Sequence, residues 1–195
     1  MAIALPDWPA PAHMTPRLVT GRAELRPAWG GDVQRLNRPG SRYAIDVQLP
    51  PQRYAKAQDW GDIDDEEATV TMLIVQPGLD VGAPGSPLVK GAGQAGSVLT
   101  IDGLTPHYVL KKRQWLTVTI SGRIYAYRVA SETMADSTGE ADVPLQTMLR
   151  RSPTDNAAVE IAAPRIEGFA TVPEGAWATD TAGLVSLAFT IEERG

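Results

Sequence analysis

Apolar and polar residues alternate one by one in short runs along this chain, and each run stops at glycine, proline or a polar cluster. In Arg42–Leu49, Tyr43, Ile45, Val47 and Leu49 fall on one face and Arg42, Asp46 and Gln48 on the other. That period of two predicts a half-buried strand. Trp115–Ile120 and Arg123–Val129 alternate in the same way around Ser121-Gly122. A two-residue link ending in glycine predicts a hairpin, because glycine takes positive φ without a Cβ clash. Further strands are expected near 97–102, 142–149 and 158–162, which reads as a small barrel over residues 90–164.

β-patterned sequence also lies on both sides of that stretch. Leu18–Thr20, Ala23–Leu25 and Val33–Leu36 precede it, the last joined to Arg42–Leu49 by an expected turn at Asn37-Arg38-Pro39-Gly40. Thr69–Val75 follows, and Ile166–Val172 and Leu184–Glu192 come after the barrel. The expected fold is therefore mainly β. A discontinuous sandwich or barrel domain, residues 1–89 and 165–195, is interrupted by an inserted OB-like barrel at 90–164, with the last strand tied into the N-terminal sheet. Pro6, Pro9, Pro11 and Pro16 predict an extended arm carrying Trp8. Gln52–Asp59 fits one or two helical turns, and Leu79–Leu88 reads as a linker into the barrel.

Composition narrows the function classes. Eighteen glycines and sixteen prolines favour turns and short strands over long helices. With no cysteine, disulfides and thiolate chemistry are excluded, which fits assembly in a reducing cytoplasm. No apolar run approaches the ~20 residues of a bilayer span, so no membrane insertion is expected, and the N-terminus lacks a signal-peptide pattern. A net charge of −5 argues against general nucleic-acid binding.

No constellation carries catalysis. His13 and His107 lie in different units, each in a turn-like setting beside proline. The acidic run Asp62–Glu67 lacks the central glycine and twelfth-position glutamate of an EF-type loop, and reads as a helix N-terminus capped by Asp62. Gly91-Ala92-Gly93-Gln94-Ala95-Gly96 has dinucleotide-fingerprint spacing, but a linker precedes it and a strand follows, so it reads as a junction. No Gly-x-Ser-x-Gly elbow occurs. The expectation is a non-enzyme with no cofactor and no metal. Lys111-Lys112-Arg113 beside Trp115, Tyr125 and Tyr127 leaves one alternative: a carbohydrate-binding face on the inserted barrel, built on those three aromatics.

The order of these segments resembles the distal tail proteins of long-tailed phages, in the compact form with a belt domain and an OB-like insertion. The resemblance rests on Met14–Leu18, Gly30–Tyr43, Leu49-Pro50-Pro51, Gln76–Leu79, Gly91–Ser97, Ala163–Gly168 and Leu187–Glu193. Where that family commonly has a helix after Leu49-Pro50-Pro51, this chain carries the acidic Asp59–Glu67 segment. The resemblance implies a virion structural protein, assembled in the host cytoplasm, forming a homohexameric ring at the distal end of the tail. Such a ring joins the tail tube protein to the tail hub and leaves a channel for the tape measure protein and then DNA, with no sequence-specific nucleic-acid contact. Six copies would total about −30, which disfavours retention of DNA in a lumen. A host-surface glycan would be an added partner of the insert. Trp8, Arg17, Leu36, Arg38 and Tyr43, from the arm and first hairpin, are the candidate ring contacts.

Overall fold

A computed structural model describes every residue except 1, 22, 26, 28, 33, 37–39, 65–67, 175 and 195, and only the backbone at 23, 24, 35, 36 and 64. Strands occupy 45% of the chain and helices 6%, so the protein is mainly β. From the N-terminus run β1 (Ile3–Ala4), β2 (His13–Val19), β3 (Ala23–Leu25), β4 (Gln34–Leu36), β5 (Arg42–Gln48) and β6 (Gln52–Arg53). A single helical turn, α1 (Tyr54–Ala57), passes into a 3-10 helix at Gln58–Asp64, and β7 (Val70–Leu73) follows. The middle holds β8 (Gly85–Val89), β9 (Val98–Leu104), β10 (Val109–Leu110), β11 (Trp115–Ile120), β12 (Arg123–Arg128), β13 (Thr133–Met134), β14 (Ala141–Pro144) and β15 (Val159–Glu160). The chain ends with β16 (Arg165–Thr171), β17 (Ala178–Thr179), β18 (Leu184–Ser186) and β19 (Ala188–Glu193).

Six strands from both ends of the sequence form one sheet, in the order β1-β7-β16-β19-β5-β2. β19 lies inside it, pairing antiparallel with β16 on one side and β5 on the other. The period-two reading explains this sheet's buried face: Tyr43, Ile45 and Val47 on β5 line up with Phe189 and Ile191 on β19 and Ile166 on β16. Trp60 and Ile63 of the 3-10 helix cover that face, almost wholly buried, with Trp60 tilted 6.0 Å from the Phe189 ring. Val70, Met72 and Leu5 complete the same cluster.

Residues 85–160 form two three-stranded sheets, β14-β9-β8 and β12-β11-β15. Their core draws Val89, Leu99, Ile101, Leu116, Val118, Tyr127, Val143 and Ile161 together and is separate from the first. The sheets touch at isolated bridges between Leu88 and Ala158 and between Val129 and Leu145. They do not close the barrel expected over this stretch.

Several local expectations are corrected. Gly85–Val89, read as part of a linker, is a strand paired with β9. Gly85 and Gly103 sit where the two backbones approach too closely for a Cβ, which at either position would lie 2.6 Å from a carbonyl oxygen across the ladder. Close backbone approach, and not flexibility, is why glycine stands there. The glycine-rich run at 91–96 is then the loop of the β8–β9 hairpin. Gln94 folds into it, donating to Lys90 O and Thr100 O and accepting from Thr100 N. β4 pairs with β3 and β5 with β2, so 33–36 and 42–49 are not hairpin partners; the turn expected at 37–40 lies, apart from Gly40, outside the described residues. Asp62 stands within the 3-10 helix and does not cap it. Thr133–Met134 forms a short strand paired with β10.

Candidate functional site

Two features stand out from the packed cores: the seam where the middle unit meets the six-stranded sheet, and a two-stranded hairpin that pairs with no other sheet.

The seam begins at β12. One edge of this strand pairs with β11, and the amides of Ile124 and Ala126, two residues apart, face the other way. Carboxylates of the large sheet accept both. Ile124 N donates to Glu167 Oε2 at 2.8 Å, and Ala126 N to Glu193 Oε1 at 2.8 Å. The other Glu193 oxygen accepts from Tyr43 N at 2.7 Å, so one side chain joins β5 of the large sheet to β12. Arg150 Nη2 lies 2.6 Å from Glu193 Oε1, with both side chains almost wholly buried. The Arg150 guanidinium lies 5.0 Å from the Tyr125 ring and 5.6 Å from the Tyr127 ring. At the far end of β12, Trp115 N donates to Gln76 Oε1 at 2.8 Å, and the Trp115 ring meets Tyr43 edge-on at 4.7 Å.

Burial is the strongest influence on these groups. It pushes the Tyr43 phenol up to about 12 and raises Tyr127. It raises the Glu193 carboxyl too, against the pull of Arg150 and the two amide donors. Burial also works against the Arg150 cation, but Glu193 and Tyr127 outweigh it, and its pKa rises. A small cavity of about 10 Å³, lined by Arg123, Arg150, Glu167, Glu193 and Arg194, borders the pair. It has room for about one water molecule, and the polar groups around it bond to one another across the two units.

The proposed glycan-facing aromatics meet here and are corrected. Trp115, Tyr125 and Tyr127 are 5%, 7% and 0% exposed. Their rings fill the seam and the inner core, where sequence pattern alone does not separate an outward aromatic face from an inward one. Tyr43, a candidate ring contact, is likewise buried, against Trp115. Arg17 lies on the surface, 3.5 Å from Asp46 across the β2–β5 pair. Trp8 is 81% exposed. Arg38 lies outside the described residues, as does the side chain of Leu36.

Glu167, Glu193 and Gln76 were not singled out from sequence as site residues. A signal for Glu193 exists: Val185, Leu187, Phe189 and Ile191 set an inward register in which position 193 is also inward. A carboxylate there needs buried donors.

The second feature is the β3–β4 hairpin. Its strands pair with each other and belong to neither the large sheet nor the middle unit. Among the described residues of its loop, Trp29 is 98% exposed, and Leu25 on β3 is 54% exposed. His13 and His107, in contrast, are simply exposed and far apart in the fold, on β2 and in the turn after β9. Among the described residues no three His, Cys, Asp or Glu side chains are grouped to hold a metal ion. No protein-family model matches the chain, and no curated protein matches it.

Proposed function

We propose that this protein is a structural ring subunit of a phage tail tip, similar to the distal tail proteins, joining the tail tube to the tail hub around a channel. The observation that carries this reading is the hairpin at residues 23–36. A two-stranded hairpin alone is marginally stable in water, and an exposed tryptophan is the residue type most enriched at interface centres. Held on a neighbouring copy, it would make the head-to-tail contact that closes a ring by rotation.

Charge supports a second copy of the same chain as that neighbour. Residues 21–41 carry four arginines against one glutamate and one aspartate, a net +2, in a chain of net −5, which leaves −7 on the remainder. A basic arm and an acidic body attract when copies meet head to tail and not when like surfaces meet. The edge strand β2, with an unpaired outer edge, adds a further surface for a neighbour. The carbohydrate alternative has lost its aromatic face to the seam.

The test is assembly. Light scattering over a concentration series, alone and with the tail tube protein, should show a closed oligomer for the wild type. It should show loss of that oligomer in the double variant Leu25→Ser, Trp29→Ser. Val98→Ser, which removes an exposed apolar side chain from the middle unit, should assemble as the wild type does. A wild type that stays monomeric in both settings, or a hairpin variant that assembles normally, would overturn the reading.

A further inference from the structure

We propose that Glu193 is a conformational lock that makes the middle unit and the large sheet one rigid body, so that the middle unit is an arm of fixed direction and not a module on a flexible tether. The two units are joined covalently only through the chain on either side of residues 85–160, and two crossings alone allow hinge motion. What opposes that motion is side-chain chemistry. The seam amides of β11 and β12 are accepted by side chains of the outer unit (Trp115 N by Gln76 just after β7, Ile124 N by Glu167 on β16, Ala126 N by Glu193 on β19), and among the described residues no backbone ladder crosses the seam.

Glu193 differs from the other two because it binds three groups from three places. It takes the amide of Tyr43 on β5, the amide of Ala126 on β12, and the guanidinium of Arg150 in the segment after β14. Any rotation of the middle unit must break at least two of these bonds at once. It would leave the buried Glu193 carboxylate with the Tyr43 amide alone and the buried Arg150 guanidinium without an ion partner, since Arg150 Nε and Nη1 already lack any in the protein. Tyr43 stacked on Trp115 gives the joint its apolar half, in line with the placement of Trp115 and Ala126 in the large sheet's core and not in that of their own unit. Such a joint has few intermediate positions, because both halves are satisfied only when seated. The lock does not depend on ring formation.

The chain contains no cysteine, so two can be introduced as unique labelling sites. Thr15→Cys on β2 and Thr119→Cys on β11, both exposed, carry nitroxide labels diluted into unlabelled protein, and pulsed electron resonance reads the intramolecular distance. A single narrow distribution is expected, broadened or split by Glu193→Gln and left unchanged by Lys90→Ala, which removes the exposed contact to Glu140 within the middle unit. A distribution equally narrow in Glu193→Gln would overturn the lock, as would a broad one in the wild type. Should that variant fail to fold, amide exchange of the wild type decides. Tyr43, Ile124 and Ala126 must exchange as slowly as the β11–β12 ladder amides, and rates about tenfold faster would contradict the proposal.

Discussion

Gly168 offers the sharpest perturbation of the sheet that carries the seam. It pairs with Glu193 in the β16–β19 ladder. A Cβ built there would sit 2.1 Å from Glu192 O, 2.5 Å from Glu192 C and 2.8 Å from Glu193 N. All three are backbone atoms, which a rotamer change cannot move. Reaching an ordinary 3.4 Å contact requires the strands to part by about 1.3 Å. That displaces two or so ladder bonds at ~0.5–1.5 kcal/mol each and adds an overpacking cost of ~1–3 kcal/mol. Gly168→Ala is therefore expected to cost about 2–6 kcal/mol, lowering the melting temperature by roughly 4–24 °C for a chain of this length. Because the displaced carbonyl belongs to Glu192, the Glu193 carboxylate should move with it, and Ala126 should lose amide protection. Gly61→Ala is the control: its Cβ meets nothing within 4 Å, and the smaller entropy of the unfolded chain should leave stability unchanged or raised by ~0.4–1 kcal/mol. Urea unfolding of both variants measures the contrast. A Gly168→Ala protein as stable as the Gly61→Ala protein would refute the close approach of β16 and β19.

Three further outcomes are expected. In an alkaline titration followed by phenolate absorbance, Tyr43 and Tyr127 should ionise above the ordinary phenol value. Unfolded Tyr43 loses its proton near 10 and folded Tyr43 only near 12, so the folded state loses about 3 kcal/mol as pH rises between those values; chemical unfolding at a series of alkaline pH values reads it. Glu193 has the opposite consequence in acid. Its folded pKa is raised by burial, so its contribution to folding stability grows as pH falls through the folded value towards the ordinary carboxylate range; urea unfolding of the wild type against Glu193→Gln over a descending pH series reads it, and a wild-type advantage that shrinks over that window would contradict this. Leu116→Ala, at a wholly buried position of the middle core, should cost about 2–5 kcal/mol in the same unfolding assay.

Where one face of a strand is buried, alternation makes the element legible. Arg42–Leu49 and Trp115–Val129 are placed by it within a residue or two, and the discontinuous pairing of β19 with β5 follows the expectation that the last strand joins the N-terminal sheet. Alternation carries no information about which strand lies beside which. That is why the β3–β4 pairing was missed and why a strand at Gly85–Val89, rich in glycine and proline, read as a linker. It is also silent on what covers a face. Trp115, Tyr125 and Tyr127 sit in well-patterned strands, but the large sheet that buries Trp115, and the Arg150 that stacks on the two tyrosines, lie far away in sequence. Glu193 shows the same limit from the other side: its inward register was readable, its three partners were not.

The central proposal is that copies of this chain close into a ring through the β3–β4 hairpin. Electron cryomicroscopy of the protein mixed with a tail tube protein tests it most directly. The expected map shows six-fold rings in which Trp29 of each copy is covered by its neighbour. Particles without rotational symmetry, or rings in which Trp29 stands in solvent, would contradict it.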